Sequence, residues 1–250
     1  MRIAISQPTY LPWMGYFDLI DQVDTFVFLD DVQFEKRSWQ QRNRIKTPLG
    51  LQWLTVPVNS RGRQMQLIRE VEIESRDFWQ NHLRAIDLNY RRAPFFSRYF
   101  HELSSLLAGF DGTRLADLNV LLIQWFVNML GIKTRLVSSS SLQQPGRRTE
   151  LLANLCESLG GDVYTSPLGS AVYLLKEQDA FLARGMKIVF QHYEHPEYRQ
   201  LFPPFQPYAS ALDLIFNEGE RSHEILLSGR RMPFLPNEVS CPTDDCLEAP

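Results

Sequence analysis

Residues 7–16, with the sequence QPTYLPWMGY, combine a restricted backbone with polar groups directly after a predicted strand. Proline fixes the backbone angle φ, and Gly15 allows the backbone to approach another group closely. Such a rigid loop delivers the beginning of a helix to the edge of a sheet, where free backbone N–H groups bind anions. Gln7, Tyr10 and Tyr16 add polar side chains. The loop therefore predicts a phosphate or substrate site, although its prolines and tryptophan can also serve only to pack the first turn.

A basic segment, EKRSWQQRNRIK, occupies residues 35–46 after the second predicted strand. Arginine suits phosphate oxygens through forked, charge-assisted hydrogen bonds, and a tryptophan can stack on a base or a sugar. A solvated basic loop is the alternative, but the position directly after two acidic residues favours phosphate binding. The side chains that we assign to this site are Lys36, Arg37, Ser38, Trp39, Arg42, Asn43 and Arg44.

Those two acidic residues, Asp30 and Asp31, lie at the predicted end of the second strand. Their carboxylates can hold a divalent cation such as Mg²⁺ beside phosphates, or orient sugar hydroxyls. Neighbouring side chains on a strand point to opposite faces, so we expect at most one of them in a given site and assign Asp31. We assign no metal ligands, and the sequence leaves the cofactor open.

The stretch YTSPLGSAVYL at residues 164–174 has the composition of a strand-end loop that contacts phosphate or substrate. It supplies hydroxyl groups and a glycine, and we assign Ser166 and Gly169 to substrate binding. The stretch matches no glycine-rich fingerprint, so the prediction depends on its position at a strand end.

The stretch at residues 191–219 is rich in histidine, tyrosine and proline. His195 or Glu194 can act as a general base, since histidine titrates near neutral pH. Tyr198 and Asp213 are assigned to the substrate site. A packed aromatic loop without a chemical role is the alternative interpretation.

The elements that must position these residues alternate between strand and helix patterns. Alternation of this kind predicts an α/β fold with a mostly parallel, Rossmann-like sheet, interrupted by a helical insertion at about residues 75–131. Ligands gather at the carboxyl ends of the strands in such a sheet, and the candidate residues follow those ends. We predict a single domain at residues 1–231 and a disordered tail at 232–250, because the tail is rich in proline and acidic residues without apolar periodicity. The predicted strands cover residues 2–6, 25–32, 51–58, 67–74, 133–140, 162–167 and 186–193.

Composition narrows the class of protein. The net charge of −3 argues against a general nucleic-acid binder, and three scattered cysteines fit a reducing compartment better than a disulfide framework. No secretory signal precedes the first strand, and the most apolar run, residues 118–132, is too short to span a bilayer. We predict a cytoplasmic protein without a transmembrane segment, whose ligand is a phosphorylated or nucleotide-linked small molecule. Motifs of serine hydrolases, P-loop enzymes and zincins are absent.

The chain resembles the WbqC-like protein family through QPTYLPWMGYFDLI, DDVQFEKRSWQQRNRIK, WLTVPV, YTSPLGSAVYL and the HPEYRQ and PYASALDLIFNEG stretches. These matches occur in order over nearly all of residues 2–219. The resemblance implies a bacterial protein encoded among genes for surface polysaccharide, such as O-antigen or lipopolysaccharide.

The stretch from Pro8 to Phe34 also looks like the opening of pantothenate synthetase and related nucleotidyltransferases, which share the HUP fold. That likeness implies an ATP site with a His-x-Gly-His helix start. Here Pro12 and Tyr16 occupy the places of the two histidines, and only Gly15 is kept between them. Adenylyl transfer by that mechanism is therefore in doubt, while the fold and an anion-binding helix start are still expected.

The two resemblances and the candidate residues together lead to three hypotheses. The first is a transferase acting on a nucleotide-activated amino sugar, with N-acyl or N-aminoacyl transfer as the favoured reaction. The second is a non-catalytic binding or scaffold protein of the same pathway, whose other enzymes would be its partners. The third is a nucleotidyltransferase that lacks the two histidines and uses Asp30 or Asp31 with magnesium.

Overall fold

The computed structural model describes residues 1–63 and 65–239. A five-stranded parallel sheet and a separate antiparallel hairpin contain all strands of these residues. The strands are β1 (Arg2–Ser6), β2 (Thr25–Phe28), β3 (Arg42–Thr47), β4 (Gly50–Thr55), β5 (Arg135–Ser138), β6 (Val163–Ser166) and β7 (Lys187–Phe190). Strands β3 and β4 form the hairpin, and the parallel sheet has the order β5-β2-β1-β6-β7.

The helices connect successive strands and cover the sheet. They are α1 (Met14–Asp21), α2 (Phe78–Tyr90), α3 (Phe96–Gly109), α4 (Leu115–Met129), α5 (Ser139–Leu142), α6 (Arg148–Ser158), α7 (Ala171–Leu174), α8 (Asp179–Leu182), α9 (Ala211–Glu218) and α10 (Ser222–Ser228), with 3₁₀ turns at Ile68–Glu70, Leu168–Ser170 and Gly219–Arg221. Helices α2 to α4 and the β3–β4 hairpin lie between β2 and β5 in the chain. The α/β class and the helical insertion are therefore confirmed, and the sheet is Rossmann-like.

The strand order places the change of winding direction between β1 and β6. From β1 the chain winds outward through β2 to β5 on one side, and it then returns to β6 and continues to β7 on the other. Ligands of open α/β sheets bind at the carboxyl ends of the two strands that flank such a switch point. The loops after Ser6 and Ser166 are thus the expected walls of a site.

Alternating side chains bury both faces of the central strands. In β1, Ala4 packs into one core while Ile3 and Ile5 pack into the other, and in β2 Phe26 and Val27 divide in the same way. Parallel strands covered by helices on both faces have this pattern, which explains why they read as continuous apolar runs. Among the described residues, no helix is both long enough and apolar enough to cross a membrane.

Two segments differ from the predicted elements. The predicted strand at 67–74 forms only a 3₁₀ turn and isolated bridges, including Val58 with Ile73 and Glu72 with Arg114. The basic segment, for which no strand is predicted, forms strand β3 in its second half. Three of the four buried residues of β3 are polar, so its sequence shows no apolar face. Strand β4 and helices α2 and α9 contact it in the structure.

Residues that follow Arg231 still pack against the domain. Phe234 exchanges two backbone hydrogen bonds with Phe190 of β7, both of 2.9 Å, and its ring stacks on His192 at 4.1 Å between centroids. Val239 packs against the core around β6 and β7. The predicted tail at 232–250 thus begins with residues that pair with the edge of the sheet, and residues 240–250 lie outside the described part of the chain.

Tyr10 and His82 form a buried polar pair that links the opening loop to α2. The Tyr10 hydroxyl lies 2.8 Å from Nδ1 of His82, and Nε2 of His82 lies 3.2 Å from the Thr55 carbonyl oxygen. Nε2 therefore carries the proton that this carbonyl accepts, and Nδ1 accepts from the tyrosine. Burial lowers the pKa of His82 to about 4. The neutral imidazole is the form that satisfies both partners.

We expect the protein to lose stability as the pH falls from about 6.5, the pKa of an unfolded-state histidine, towards 4. In that window the unfolded chain binds a proton at His82 that the folded chain excludes, which costs up to about 3 kcal/mol. Urea unfolding at pH 7 and pH 4.5 should show a smaller pH effect in His82→Gln than in the unchanged protein. His101→Gln, at an exposed histidine, is the control. Equal pH effects in both variants would contradict this role of His82.

Candidate functional site

A cavity of about 1030 Å³ opens at the carboxyl ends of β1, β6 and β7. Its walls include the loop after β1, the 3₁₀ turn after β6 and the residues that follow β7. This is the switch point of the sheet, where the topology predicts a ligand. The lining residues include Gln7, Trp13, Gly15, Tyr16, Glu35, Ser38, Trp39, Asn43, Gly169, Ser170, Tyr173, Gln191, His192, Tyr193, Phe234 and Glu238.

The opening loop forms one wall and is held by hydrogen bonds at both ends. Gln40 Nε2 donates to Gln7 Oε1 at 2.8 Å, and the Tyr16 hydroxyl donates to the Gln7 carbonyl oxygen at 3.0 Å. Gln7, Gly15 and Tyr16 line the cavity as a group. Tyr10, which we also assigned to the site, is fully buried against His82 and lies outside the cavity lining.

Gly15 is required by the packing of Trp13. A β-carbon at position 15 would lie far inside van der Waals contact with the six-membered ring of Trp13. The same ring stacks on His195 at 6.0 Å and meets Tyr193 and Tyr208 edge-on at 5.7 and 5.2 Å. We predicted a glycine through which the backbone approaches a ligand, whereas the structure shows one that admits an indole ring to the cavity wall.

An ion pair between a buried aspartate and a half-buried arginine supports this wall. Asp18 on α1 is fully buried and accepts from Arg230 Nε at 2.8 Å and from Gln191 Nε2 at 2.7 Å. Gln191 also donates to the Gly15 carbonyl oxygen at 2.9 Å, and Arg230 reaches Asp21 at 2.6 Å. Burial raises the pKa of Asp18, and the hydrogen bonds from Arg230 and Gln191 oppose that rise. These contacts connect helix α1 to Gln191 of the cavity lining and to Arg230 near the C-terminus.

His192 is the histidine that lines the cavity. Its Nε2 lies 3.7 Å from Oε1 of Glu194, and Arg231 holds the other oxygen of that carboxylate at 2.7 Å. The ring stacks on Phe234, and its backbone carbonyl accepts from the Arg231 backbone N–H at 3.0 Å. A half-buried imidazole beside a carboxylate can accept a proton from a bound substrate.

His195 and Glu194, our candidates for the general base, occupy different places. His195 lies behind Trp13, its Nδ1–H donates to the Pro196 carbonyl oxygen at 3.0 Å, and burial lowers its pKa to about 4. Its Nε2 is buried without a partner in the described chain. Neither residue lines the cavity, and Glu194 reaches it only through His192.

The two aspartates that follow β2 accept hydrogen bonds from serines at the beginning of α5. Asp30 accepts from the Ser140 backbone N–H at 3.0 Å and from its hydroxyl at 2.7 Å, and Asp31 accepts from the Ser139 hydroxyl at 2.5 Å. Neither carboxylate lines the cavity. Within residues 1–63 and 65–239, no three His, Cys, Asp or Glu side chains are grouped as metal ligands.

The basic segment divides between the cavity and its outer rim. Ser38, Trp39 and Asn43 line the cavity, and the Asn43 side chain is fixed by donation to the Leu11 carbonyl oxygen at 2.8 Å. The basic side chains do not line it: Lys36 and Arg37 are exposed, and Arg42 and Arg44 are half-buried on the hairpin.

The candidates from the later strand ends also separate. Gly169 lines the cavity, whereas the Ser166 side chain is fully buried and donates to the Pro167 carbonyl oxygen at 3.2 Å. The Tyr198 hydroxyl donates to the buried carboxylate of Asp213 at 2.8 Å, and neither residue lines the cavity. The tyrosine and the aspartate thus hold the loop after β7 against α9.

Sequence reasoning missed several residues of the site. His192 belongs to the stretch at residues 191–219 that we predicted to contain the general base. The sequence could not show that His192, rather than His195, faces the cavity. Tyr173 and Gln191 follow strands β6 and β7, and the rule of strand ends could have found them. No sequence pattern indicates that Phe234 and Glu238 belong to the site. Their segment has no apolar periodicity, and it reaches the cavity because Phe234 pairs with Phe190 of β7.

Known proteins are similar to this chain over most of its length. A model described as the WbqC-like protein family matches residues 7–225. An uncharacterized protein of Mycobacterium tuberculosis, Rv1507c, is 39% identical over 226 residues, which is 90% of this chain and 97% of that protein. No solved structure was found to match the chain.

Proposed function

Because the chain belongs to the WbqC-like protein family, we propose that it is a cytoplasmic transferase acting on a nucleotide-activated amino sugar for bacterial surface polysaccharide. The favoured reaction is transfer of an acyl or aminoacyl group to the sugar amine. The observation that carries this proposal is the cavity at the switch point of a Rossmann-like sheet, which is where such sheets bind nucleotides.

The lining of the cavity supports a sugar-type ligand. The side chains of Gln7 and Ser170 offer an amide and a hydroxyl group, which suit the hydroxyls of a sugar. Trp13 and Trp39 present large aromatic surfaces of the kind that stack on sugars and bases. A few polar groups set among aromatic walls are typical of pockets for small organic ligands.

His192 is the residue that we assign to proton transfer in place of His195. When the sugar amine attacks the carbonyl carbon of an activated acyl donor, a C–N bond forms and the bond from that carbon to the donor's leaving group breaks. The amine nitrogen must also lose a proton, which a neutral imidazole in the cavity can accept and pass to the departing group. The carboxylate of Glu194, 3.7 Å from Nε2 of His192, can stabilise the resulting imidazolium. Arg231 and Phe234 hold the carboxylate and the ring in place.

Two alternatives have less support. Nucleotidyl transfer requires groups in the cavity that stabilise the reacting phosphate. The Tyr16 hydroxyl instead donates to the Gln7 carbonyl oxygen, and the Asp31 carboxylate accepts from the Ser139 hydroxyl. A non-catalytic binding or scaffold protein of the same pathway would have the same cavity without a proton acceptor. The histidine beside a carboxylate favours the transferase.

We expect nucleotide-activated amino sugars to raise the unfolding temperature, because a ligand at about 100 times its dissociation constant adds about 2.7 kcal/mol. With an acyl donor present, mass spectrometry should detect N-acylated product. His192→Gln should retain the thermal shift and lose product, whereas His101→Gln should retain both. A thermal shift without product from any donor would favour the binding protein, and pyrophosphate release from a nucleoside triphosphate would favour the nucleotidyltransferase.

A further inference from the structure

We propose that a cluster of two arginines and two tryptophans on and beside the β3–β4 hairpin binds the diphosphate of the ligand outside the cavity. The cluster consists of Arg42, Trp53, Arg44 and Trp39, and we call it the Arg–Trp ladder. The inference rests on the proposed function and deepens it, since it assigns the charged and the uncharged parts of the substrate to separate surfaces.

The ladder is built by the register of the hairpin. Arg42 and Arg44 alternate along β3 and therefore lie on the same face, and Trp53 of β4 pairs with Arg44. The guanidinium carbon of Arg42 is 4.2 Å from the centroid of Trp53, and that of Arg44 is 5.4 Å from Trp53 and 5.3 Å from Trp39. The two indole rings are 5.2 Å apart. Each guanidinium thus lies against at least one indole ring.

The two guanidinium groups have free donors. Among the described residues, neither Arg42 nor Arg44 forms an ion pair or a side-chain hydrogen bond, and the Nε atoms of both are buried without a partner. Arg184 and Arg230, by contrast, are held by two carboxylates each. The terminal Nη groups of both arginines, unlike the Nε atoms, are not buried, so they are the donors available for phosphate oxygens. The ladder therefore has cationic hydrogen-bond donors that can bind an anion.

The cavity itself offers no cation for a phosphate. Among the described residues that line it there is no lysine or arginine, and Glu35 and Glu238 add two carboxylates. Trp39 belongs both to the cavity lining and to the ladder, so it joins the two surfaces. A ligand that places its sugar in the cavity can lay its diphosphate across Trp39 onto Arg44 and Arg42. Charge complementarity assigns the phosphates to the ladder.

The test measures binding of inorganic pyrophosphate and of uridine diphosphate by calorimetry at low and high salt. We expect Arg42→Ala and Arg44→Ala to weaken binding about 10- to 100-fold each, since each removes charge-assisted hydrogen bonds. Trp53→Leu should also weaken binding although it removes no charge, and Trp53→Phe should weaken it less. Arg135→Ala removes the same charge at the opposite end of the sheet and should leave the affinity unchanged. Melting temperatures of all variants identify any that fail to fold.

A diphosphate occurs in nucleotide-linked and in lipid-linked ligands, so a short-chain prenyl diphosphate is measured beside uridine diphosphate. If uridine diphosphate or the prenyl diphosphate binds more tightly than the other, and Arg44→Ala loses that binding, the ladder is supported. The tighter ligand then shows whether the natural diphosphate is nucleotide-linked or lipid-linked. Folded Arg42→Ala and Arg44→Ala variants with unchanged affinity for every diphosphate would overturn it. If nucleotide sugars still bound in those variants, the proposed function would stand without the ladder. If pyrophosphate alone bound through the ladder and no nucleotide sugar did, the ladder would stand and the proposed function would fail.

Discussion

Arg230→Ala is expected to lower the free energy of unfolding by about 3 kcal/mol, because removal of one partner leaves the buried charge of Asp18 uncompensated. The value lies at the lower end for buried pairs because Arg230 is itself 30% exposed. Asp18 is fully buried on α1, and Arg230 is its cationic partner at 2.8 Å. The hydrogen bonds from Gln191 and Gln22 remain in the variant but carry no charge. The aspartate must then take up a proton or draw in water, and either process costs stability.

Urea unfolding at pH 7 measures this effect, with Arg231→Ala as the matched control. Arg231 is the next residue and pairs with exposed Glu194, so its loss should cost less than about 1 kcal/mol. Asp18→Asn combined with Arg230→Met removes both charges and should recover part of the loss. Equal unfolding midpoints for Arg230→Ala and Arg231→Ala would show that the buried pair contributes little.

The fold could be predicted wherever the pattern of side chains reflects local burial. Strands β1 and β2 are apolar on both faces because helices cover both, and their sequences show it. Strand β3 has the sequence RNRIKT and shows no apolar face, because only Ile45 among its four buried residues is apolar. The segment VEIE at 71–74 alternates like a strand, yet it forms only isolated bridges. Periodicity reports which face is buried, not whether a neighbouring strand is present.

The site could be predicted in its location and only partly in its residues. The rule that ligands gather at the carboxyl ends of parallel strands led to Gln7 and Gly169, which line the cavity. It could not distinguish His192 from His195, because the chain after β7 has no regular periodicity that fixes where a side chain points. The pairing of Phe234 with β7 depends on tertiary contacts alone. We predicted arginines as phosphate ligands from their type, but the sequence could not show that the guanidinium groups of Arg42 and Arg44 both lie against Trp53.

Gly15→Ala is expected to abolish binding of the cavity ligand and to cost about 1–3 kcal/mol of stability, since an added methyl group overpacks a filled site. The new β-carbon would overlap the ring of Trp13, which His195, Tyr193 and Tyr208 enclose on its other sides. The indole must leave its place, and the open direction is the cavity that it lines. A displaced ring would therefore occupy the space of the ligand.

Gly169→Ala is the matched control for this prediction. Gly169 lines the same cavity, but a β-carbon there would meet no heavy atom within 4 Å, so stability should change by less than about 0.5 kcal/mol. The double variant Gly15→Ala with Trp13→Leu should regain part of the stability lost in Gly15→Ala, because the ring that caused the overlap is gone. It should not regain affinity, since Trp13 is itself part of the binding wall. Unfolding midpoints and the thermal shift with a nucleotide sugar, measured on all four proteins, separate the two effects. Full affinity in Gly15→Ala would mean that the position of Trp13 does not determine binding.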